Sequence, residues 1–299
     1  MRQPWTGLGT ALVTPFTTTG AVDEAAVRRL ARRQIEEGVH FLVPCGTTGE
    51  SPTLTREEHV RVVELVLAEA RGRVPVLAGA GGYNTHEVAE LARELEDRGV
   101  QGILSVTPYY NKPTQDGLVH HYERIASRTS LPIILYNVPG RTGCNIEPRT
   151  VARLAAVPTI VGVKEASGNM TQMCEVVRVV PEDFIVLSGD DALTLPLMAV
   201  GGRGIISVAA NIVPGEMARM VEAAERDDFA TARLEHRRLM RLMLVNFVES
   251  NPIPVKSAMA TLGLLEENYR LPMVPPADAS RAKIAEALAE LGLAARVAR

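Results

Sequence analysis

Eight short apolar runs recur along this 299-residue chain, and their rhythm constrains the fold more than any other feature. They fall at residues 8–14, 39–43, 74–78, 102–107, 131–136, 160–164, 184–188 and 204–207. Rich in Val, Ile and Leu, they read as strands buried on both faces, the pattern of a parallel sheet. Helical patterns stand between or after them at 23–37, 55–70, 85–97, 115–127, 170–179, 192–200 and 214–225. Asp23 reads as an N-cap, Thr55-Arg-Glu-Glu58 as a capping box, and Gly38 and Gly99 as helix stops. The eight strands alternate with helices without a linker or composition break, save that no helix is read between the fifth and sixth. That argues for one α/β unit, a (β/α)8 TIM barrel, rather than two domains.

Past residue 212 the pattern is helical alone, at 214–225, 229–248, 254–262 and 277–295. The expected division is a catalytic barrel over 1–227 and a C-terminal helical appendage over 228–299, packed on the barrel as a stabilising cap or oligomer contact. Met217 and Met220, like Met240 and Met243, sit at helical spacing and are expected in the core. His120, His121 and His236 are expected at the surface, and Gly201-Gly-Arg-Gly204 as a tight turn.

With a net charge of −3 and 22% charged residues, the chain lacks the basic surplus that attracts nucleic acid. No apolar run approaches the roughly 18 residues of a membrane span, and Met1-Arg-Gln-Pro-Trp5 carries no apolar leader core. Its three cysteines form no C-x-x-C pair and no set with His spaced for metal. A cytoplasmic protein with no nucleic-acid or membrane partner is expected.

One lysine stands out. Only four of the 32 basic side chains are lysines, so arginine is the default cation, yet Lys164 is kept at the end of an apolar strand. An amine can lose its proton and attack a carbonyl, which a guanidinium cannot do, and desolvation favours the neutral form. A lone strand-end lysine is more simply explained as snorkelling or as paired with Glu165. What favours chemistry is the company it keeps at the strand ends, where a barrel of this kind places its active site. Gly46-Thr-Thr-Gly-Glu50, Tyr109 and Tyr110, Tyr136-Asn-Val-Pro-Gly-Arg-Thr142 and Gly189-Asp-Asp191 follow four of the other strands. Glycines around Thr47 and Thr48 let main-chain N–H groups approach a carboxylate. Tyrosine phenols can pass protons during imine formation, and Arg141 offers a fork for a second carboxylate.

At these residues the sequence resembles the dihydrodipicolinate (4-hydroxy-tetrahydrodipicolinate) synthase family of the pyruvate-dependent class I aldolases. The motifs are Gly46-Thr-Thr-Gly-Glu-Ser51, Pro108-Tyr-Tyr-Asn-Lys-Pro113, Tyr136-Asn-Val-Pro-Gly-Arg-Thr-Gly143, Val163-Lys-Glu-Ala-Ser-Gly168, Ser188-Gly-Asp-Asp191, Ile205-Ile-Ser-Val208 and Asn251-Pro-Ile-Pro-Val-Lys256. The resemblance implies a Schiff-base lyase of lysine and diaminopimelate biosynthesis that condenses pyruvate with L-aspartate 4-semialdehyde and needs no metal or organic cofactor. By the same resemblance, Lys164 forms the imine, and Tyr136, Thr47 and Tyr110 relay protons, Tyr110 from a neighbouring subunit. Thr48 and the Ile206 main chain hold pyruvate, Arg141 grips the semialdehyde carboxylate, and Gly189 and Asp190 line the same pocket. It also implies a homotetramer built as a dimer of dimers, and a lysine feedback site at Ser51, His59, Glu87 and Tyr109. Arg56 and Tyr83 depart from the lysine-sensitive pattern. Two alternatives stand beside this: another aldolase of the group, of the N-acetylneuraminate lyase or keto-deoxy sugar acid type, and a non-enzymatic keto-acid binding barrel.

Overall fold

The computed structural model describes residues 4–293; the leader reading at residues 1–3 and the expected helix end at 294–295 lie outside them. Eight parallel strands are present: β1 (Gly7–Ala11), β2 (Phe41–Val43), β3 (Leu77–Gly79), β4 (Gly102–Val106), β5 (Ile133–Asn137), β6 (Ile160–Glu165), β7 (Ile185–Ser188) and β8 (Gly204–Ser207). They pair in the order β2-β1-β8-β7-β6-β5-β4-β3. The sheet closes through a bridge between Leu42 and Val76 and main-chain bonds from Leu42 N to Pro75 O (3.0 Å) and Gly79 N to Pro44 O (2.9 Å). A (β/α)8 barrel results, as expected.

Around it run α1 (Glu24–Glu36), α2 (Arg56–Ala70), α3 (Thr85–Asp97), α4 (Gln115–Ala126), α5 (Pro139–Thr142), α6 (Pro148–Leu154), α7 (Met170–Val179), α8 (Thr194–Ala199) and α9 (Pro214–Glu225). Three more helices follow, α10 (Phe229–Val245), α11 (Ile253–Thr261) and α12 (Asp278–Glu290). Asp23 accepts from Ala26 N as the cap of α1, and Thr55 and Glu58 form the expected reciprocal box at α2.

Several boundaries move. Expected strands at 74–78 and 131–136 begin late, at Leu77 and Ile133, because Pro75 and Pro132 have no N–H for the ladder. The strand expected at 39–43 starts at Phe41, the one expected at 8–14 ends at Ala11, and the helix expected to reach 248 stops at Val245. Between β5 and β6 the sequence reading names no helix, whereas α6 is there with Pro148 in its first turn, where a missing N–H costs nothing. His121 is buried instead of exposed, sharing a 2.9 Å hydrogen bond with Thr85 Oγ1, and burial pushes its pKa down to about 4. His236 is half-buried, donating to Ala192 O, and Met240 is only half-buried, while Met217, Met220 and Met243 are in the core.

The pleat sorts side chains into two apolar layers. Ala11, Phe41, Leu77, Leu104, Ile134 and Ile206 fill the barrel, with Trp5 edge-on to Phe41 at 5.8 Å. Leu8, Leu42, Ile103, Leu135, Val163 and Ile205 pack out against the helices. One irregularity decides what β6 presents. Ile133 pairs with Ile160 but Ile134 pairs with Gly162, so Val161 is an extra residue and the alternation shifts by one. Beyond the bulge, Tyr136 pairs with Lys164 and Asn137 with Glu165, which turns Lys164 inward beside Tyr136 and Glu165 outward. Without it every later β6 side chain would change face.

The appendage is more than a cap, because side chains from it reach the barrel mouth. Lys256 of α11, fully buried, donates to Glu50 Oε1 at 2.7 Å and Thr14 O at 3.1 Å. Arg270 binds Glu58, Thr53 O and Gly20 O. Burial pulls the Lys256 ammonium below the usual lysine range, opposed by the Glu50 charge. Breaking such a pair leaves an uncompensated charge, so Glu50→Gln or Lys256→Met should lower unfolding free energy by about 3–5 kcal/mol in denaturant titrations. The double variant Glu50→Leu/Lys256→Met should be the less harmed; single variants of wild-type stability would contradict the pairing.

Candidate active site

Lys164 stands at the C-terminal end of β6 and is 5% exposed. Its Nζ lies 4.1 Å from the centroid of the Tyr136 ring. Among the described residues no carboxylate pairs with that nitrogen and no acceptor takes a bond from it. Glu165 does not neutralise it. That carboxylate, buried on the opposite face, accepts from Asn137 Nδ2 (2.8 Å), Ser167 N (2.7 Å) and Gln172 Nε2 (3.3 Å). The simple pairing of Lys164 with its neighbour is therefore excluded by the pleat.

Gly189, just past β7, packs against the lysine stem. A Cβ there would lie 2.6 Å from Ala166 Cβ and 3.0 Å from Lys164 Cε, so only glycine leaves room. Asp190 spends its carboxylate as an N-cap, accepting from Ala192 N at 2.9 Å. Asp191 is fully buried and accepts from Ser207 Oγ and from the main-chain N–H of Val208 and Ala209 at 3.2 Å each. Burial outweighs those bonds and raises its pKa to about 6. It ties β7 to the end of β8, where Ile206 is buried in the barrel interior with Tyr136.

The Gly46–Glu50 turn is tight at both ends, with positive φ at Cys45 (56°) and Glu50 (53°). Gly79 makes room for it, since a Cβ at that position would sit 2.1 Å from Cys45 O. Main-chain bonds from Gly49 N to Gly46 O and from Glu50 N to Thr47 O, both 3.1 Å, complete the turn, and Lys256 holds Glu50 from behind. Thr48 is buried and its Oγ1 accepts from Asn251 Nδ2 at 2.8 Å. Arg141, exposed on α5, donates from Nη2 to the main-chain carbonyl of the same Asn251 at 3.1 Å.

A cavity of about 700 Å³ opens beside this group. Thr47, Tyr136 and Arg141 line it together with Ser51, His59, Glu87 and Tyr109, so one cleft joins two members of the expected relay to the expected feedback residues. Lys164, Thr48, Ile206, Gly189 and Asp190 are not on its walls; Tyr136, which is on the wall, carries the Lys164 amine over its ring. His59 donates from Nε2 to Gly79 O at 2.9 Å, and burial pulls its pKa down to about 4. Tyr109 stacks edge-on to Tyr83 at 5.1 Å, and burial raises its phenol, with Tyr83 and Glu87 adding to the effect. Arg56, also on the wall, pairs with Glu94 at 2.8 Å. Tyr110 is not brought in: it is 92% exposed, at a φ of 70°.

Two residues escape the sequence reading. Asp191 is passed over for Asp190, and Asn251 is seen in a motif without a role. Nothing local announces a partner 203 residues away.

A lysine amine free of any ionic partner among the described residues, set beside a phenol at the C-terminal mouth of a (β/α)8 barrel, is the equipment of a Schiff-base lyase. The chain belongs to the dihydrodipicolinate synthetase family, whose profile matches residues 4–291. A 4-hydroxy-tetrahydrodipicolinate synthase of Koribacter versatilis is 54% identical over 288 residues, covering 96% of both chains. The crystal structure of dihydrodipicolinate synthase from Aquifex aeolicus superposes with a TM-score of 0.95 at 44% identity, over 97% of this chain and 99% of that one. A chloride-inhibited dihydrodipicolinate synthase from Acinetobacter baumannii, solved in complex with pyruvate, has a TM-score of 0.95 at 41% identity, over 96% of this chain and 99% of that one.

The contact at Gly189 gives a direct test of where Lys164 must stand. Gly189→Ala should push the lysine stem aside and lower kcat by about 10- to 100-fold, with the thermal midpoint little changed. Full activity in the folded variant would contradict the contact.

Proposed function

We propose that this chain condenses pyruvate with L-aspartate 4-semialdehyde through an imine on Lys164. The observation that carries the reading is the buried Lys164 Nζ, without a counter-ion, over the Tyr136 ring. The amine attacks the keto carbon and water leaves, forming the imine; loss of a methyl proton gives the enamine. The enamine carbon bonds to the aldehyde carbon, and the amine of the semialdehyde then displaces Lys164 as it closes the ring. No external oxidant or reductant enters the balance.

The residue roles are part of the same proposal. Tyr136 and Thr47 share the cavity wall and pass protons, with Tyr110 as the third member. Tyr110's exposure in a single chain supports its being supplied to a neighbouring subunit, within a homotetramer arranged as a dimer of dimers. Thr48 and the Ile206 main chain hold the pyruvate moiety, and Arg141 holds the second carboxylate, with Gly189 and Asp190 beside it. The helices of 228–299 belong to the same working unit as the 1–227 barrel, because Asn251 and Lys256 brace the mouth.

Turnover with both substrates in a coupled assay tests the reading. Arg141→Ala should raise KM for the semialdehyde by about 10- to 100-fold, the worth of a charged hydrogen bond, while KM for pyruvate moves far less. An unchanged KM for the semialdehyde would favour a sugar acid aldolase instead. Tyr110→Phe and Lys164→Ala should each be nearly inactive alone. Mixed and reassembled, they should recover part of the activity, since hybrid assemblies hold some sites with both native groups; no recovery would contradict a shared site.

A further inference from the structure

Asn251 lies just before α11, outside the barrel strands and their loops, and is 4% exposed. Among the described residues its bonds to Thr48 Oγ1 and Arg141 Nη2 are the only side-chain hydrogen bonds that either of those residues makes. A hydroxyl has one proton and can accept as well as donate. With Asn251 Nδ2 donating to it, Thr48 Oγ1 is taken as an acceptor, and its own O–H is left without a protein partner. Asn251 Oδ1 is buried with no partner among the described residues, so the amide faces Thr48 with its donor end and leaves its acceptor end free. The segment cannot drift, since Lys256, five residues on, is pinned by Glu50 and Thr14 O.

We infer that Asn251 is a positioning residue for the reaction: its side-chain amide commits the Thr48 hydroxyl proton to the carboxylate of the bound keto acid, while its main-chain carbonyl holds the Arg141 guanidinium ready for the second carboxylate. The inference rests on the reading of the site given above and adds a residue contributed by the C-terminal helical region. Asn251 touches neither reacting atom; it sets the direction of two groups that meet the substrates.

The test compares wild type, Asn251→Ala, Asn251→Asp, Thr48→Val and the double variant Thr48→Val/Asn251→Ala, as full-length proteins, in kcat, in KM for each substrate and in thermal midpoint. Asn251→Ala should raise KM for pyruvate by about tenfold, with a smaller change in kcat. Thr48→Val should do the same, and the double variant should be no worse than either single one, because both remove one interaction. Asn251→Asp keeps the shape of the side chain and carries the test if the alanine variant does not fold. As a carboxylate it takes the Thr48 proton, so pyruvate binds poorly; as the pH falls and the carboxyl protonates, it becomes a donor again and KM, relative to wild type, recovers. A merely structural role gives no such recovery. In an active wild-type background, an unchanged pyruvate KM in both variants, additive effects in the cycle, or a pH-independent defect in Asn251→Asp overturns the role of Asn251 alone. A wild-type protein that fails to turn over pyruvate and the semialdehyde overturns the reading of the site, and this role with it.

Discussion

The structure depends on a single inserted residue that separates two opposite charges. Lys164 and Glu165 are neighbours in sequence, and an exposed pair of that kind would neutralise itself. The Val161 bulge sets the phase of β6 so that the amine enters the barrel and the carboxylate faces the helix layer. There Asn137, Ser167 and Gln172 satisfy Glu165 completely enough that it has no call on the lysine. The price is a buried amine with no counter-ion among the described residues, held between the Tyr136 ring and the bare backbone of Gly189.

Lys256 shows what the same side chain does when its role is stability. It too is buried and lies near an aromatic ring, 4.4 Å from the centroid of Phe16, but Glu50 and Thr14 O accept hydrogen bonds from it. A buried lysine given a carboxylate and a carbonyl to bond serves as a strut. That strut ends on Glu50, at the left-handed corner of the turn carrying Thr47 and Thr48. Lys256 thus braces the turn that carries Thr47 and Thr48, and the C-terminal helices become part of the site's framework.

Most of the barrel was legible because buried parallel strands leave unbroken apolar runs, and because Thr55, Asp23 and their like mark helix starts by chemistry that acts within one turn. Strand starts slipped where Pro75 and Pro132 lay inside an apolar run, since hydrophobicity says nothing about a missing N–H. The short helix α6 was missed because its seven residues barely cover two turns of pattern. The bulge was invisible: Ile160-Val-Gly-Val163 is apolar throughout, so an extra residue leaves no mark on a strand buried on both faces. In the candidate site, residues next to strand ends could be read from their neighbours, whereas Asn251 could not, because its partners Thr48 and Arg141 are distant in the chain and meet it only after the barrel closes. Ser51, His59, Glu87 and Tyr109 were legible only through resemblance; what could not be read is that they line one cleft with Thr47 and Tyr136.

The central claim is that the amine at position 164, and no other, forms a covalent bond to the keto acid. The protein should be incubated with pyruvate, reduced with borohydride, digested and mapped by mass spectrometry. A reduced pyruvyl adduct on the peptide containing Lys164, absent without pyruvate and absent in Lys164→Ala, is the predicted result; no adduct, or one on Lys112, Lys256 or Lys283, would contradict it.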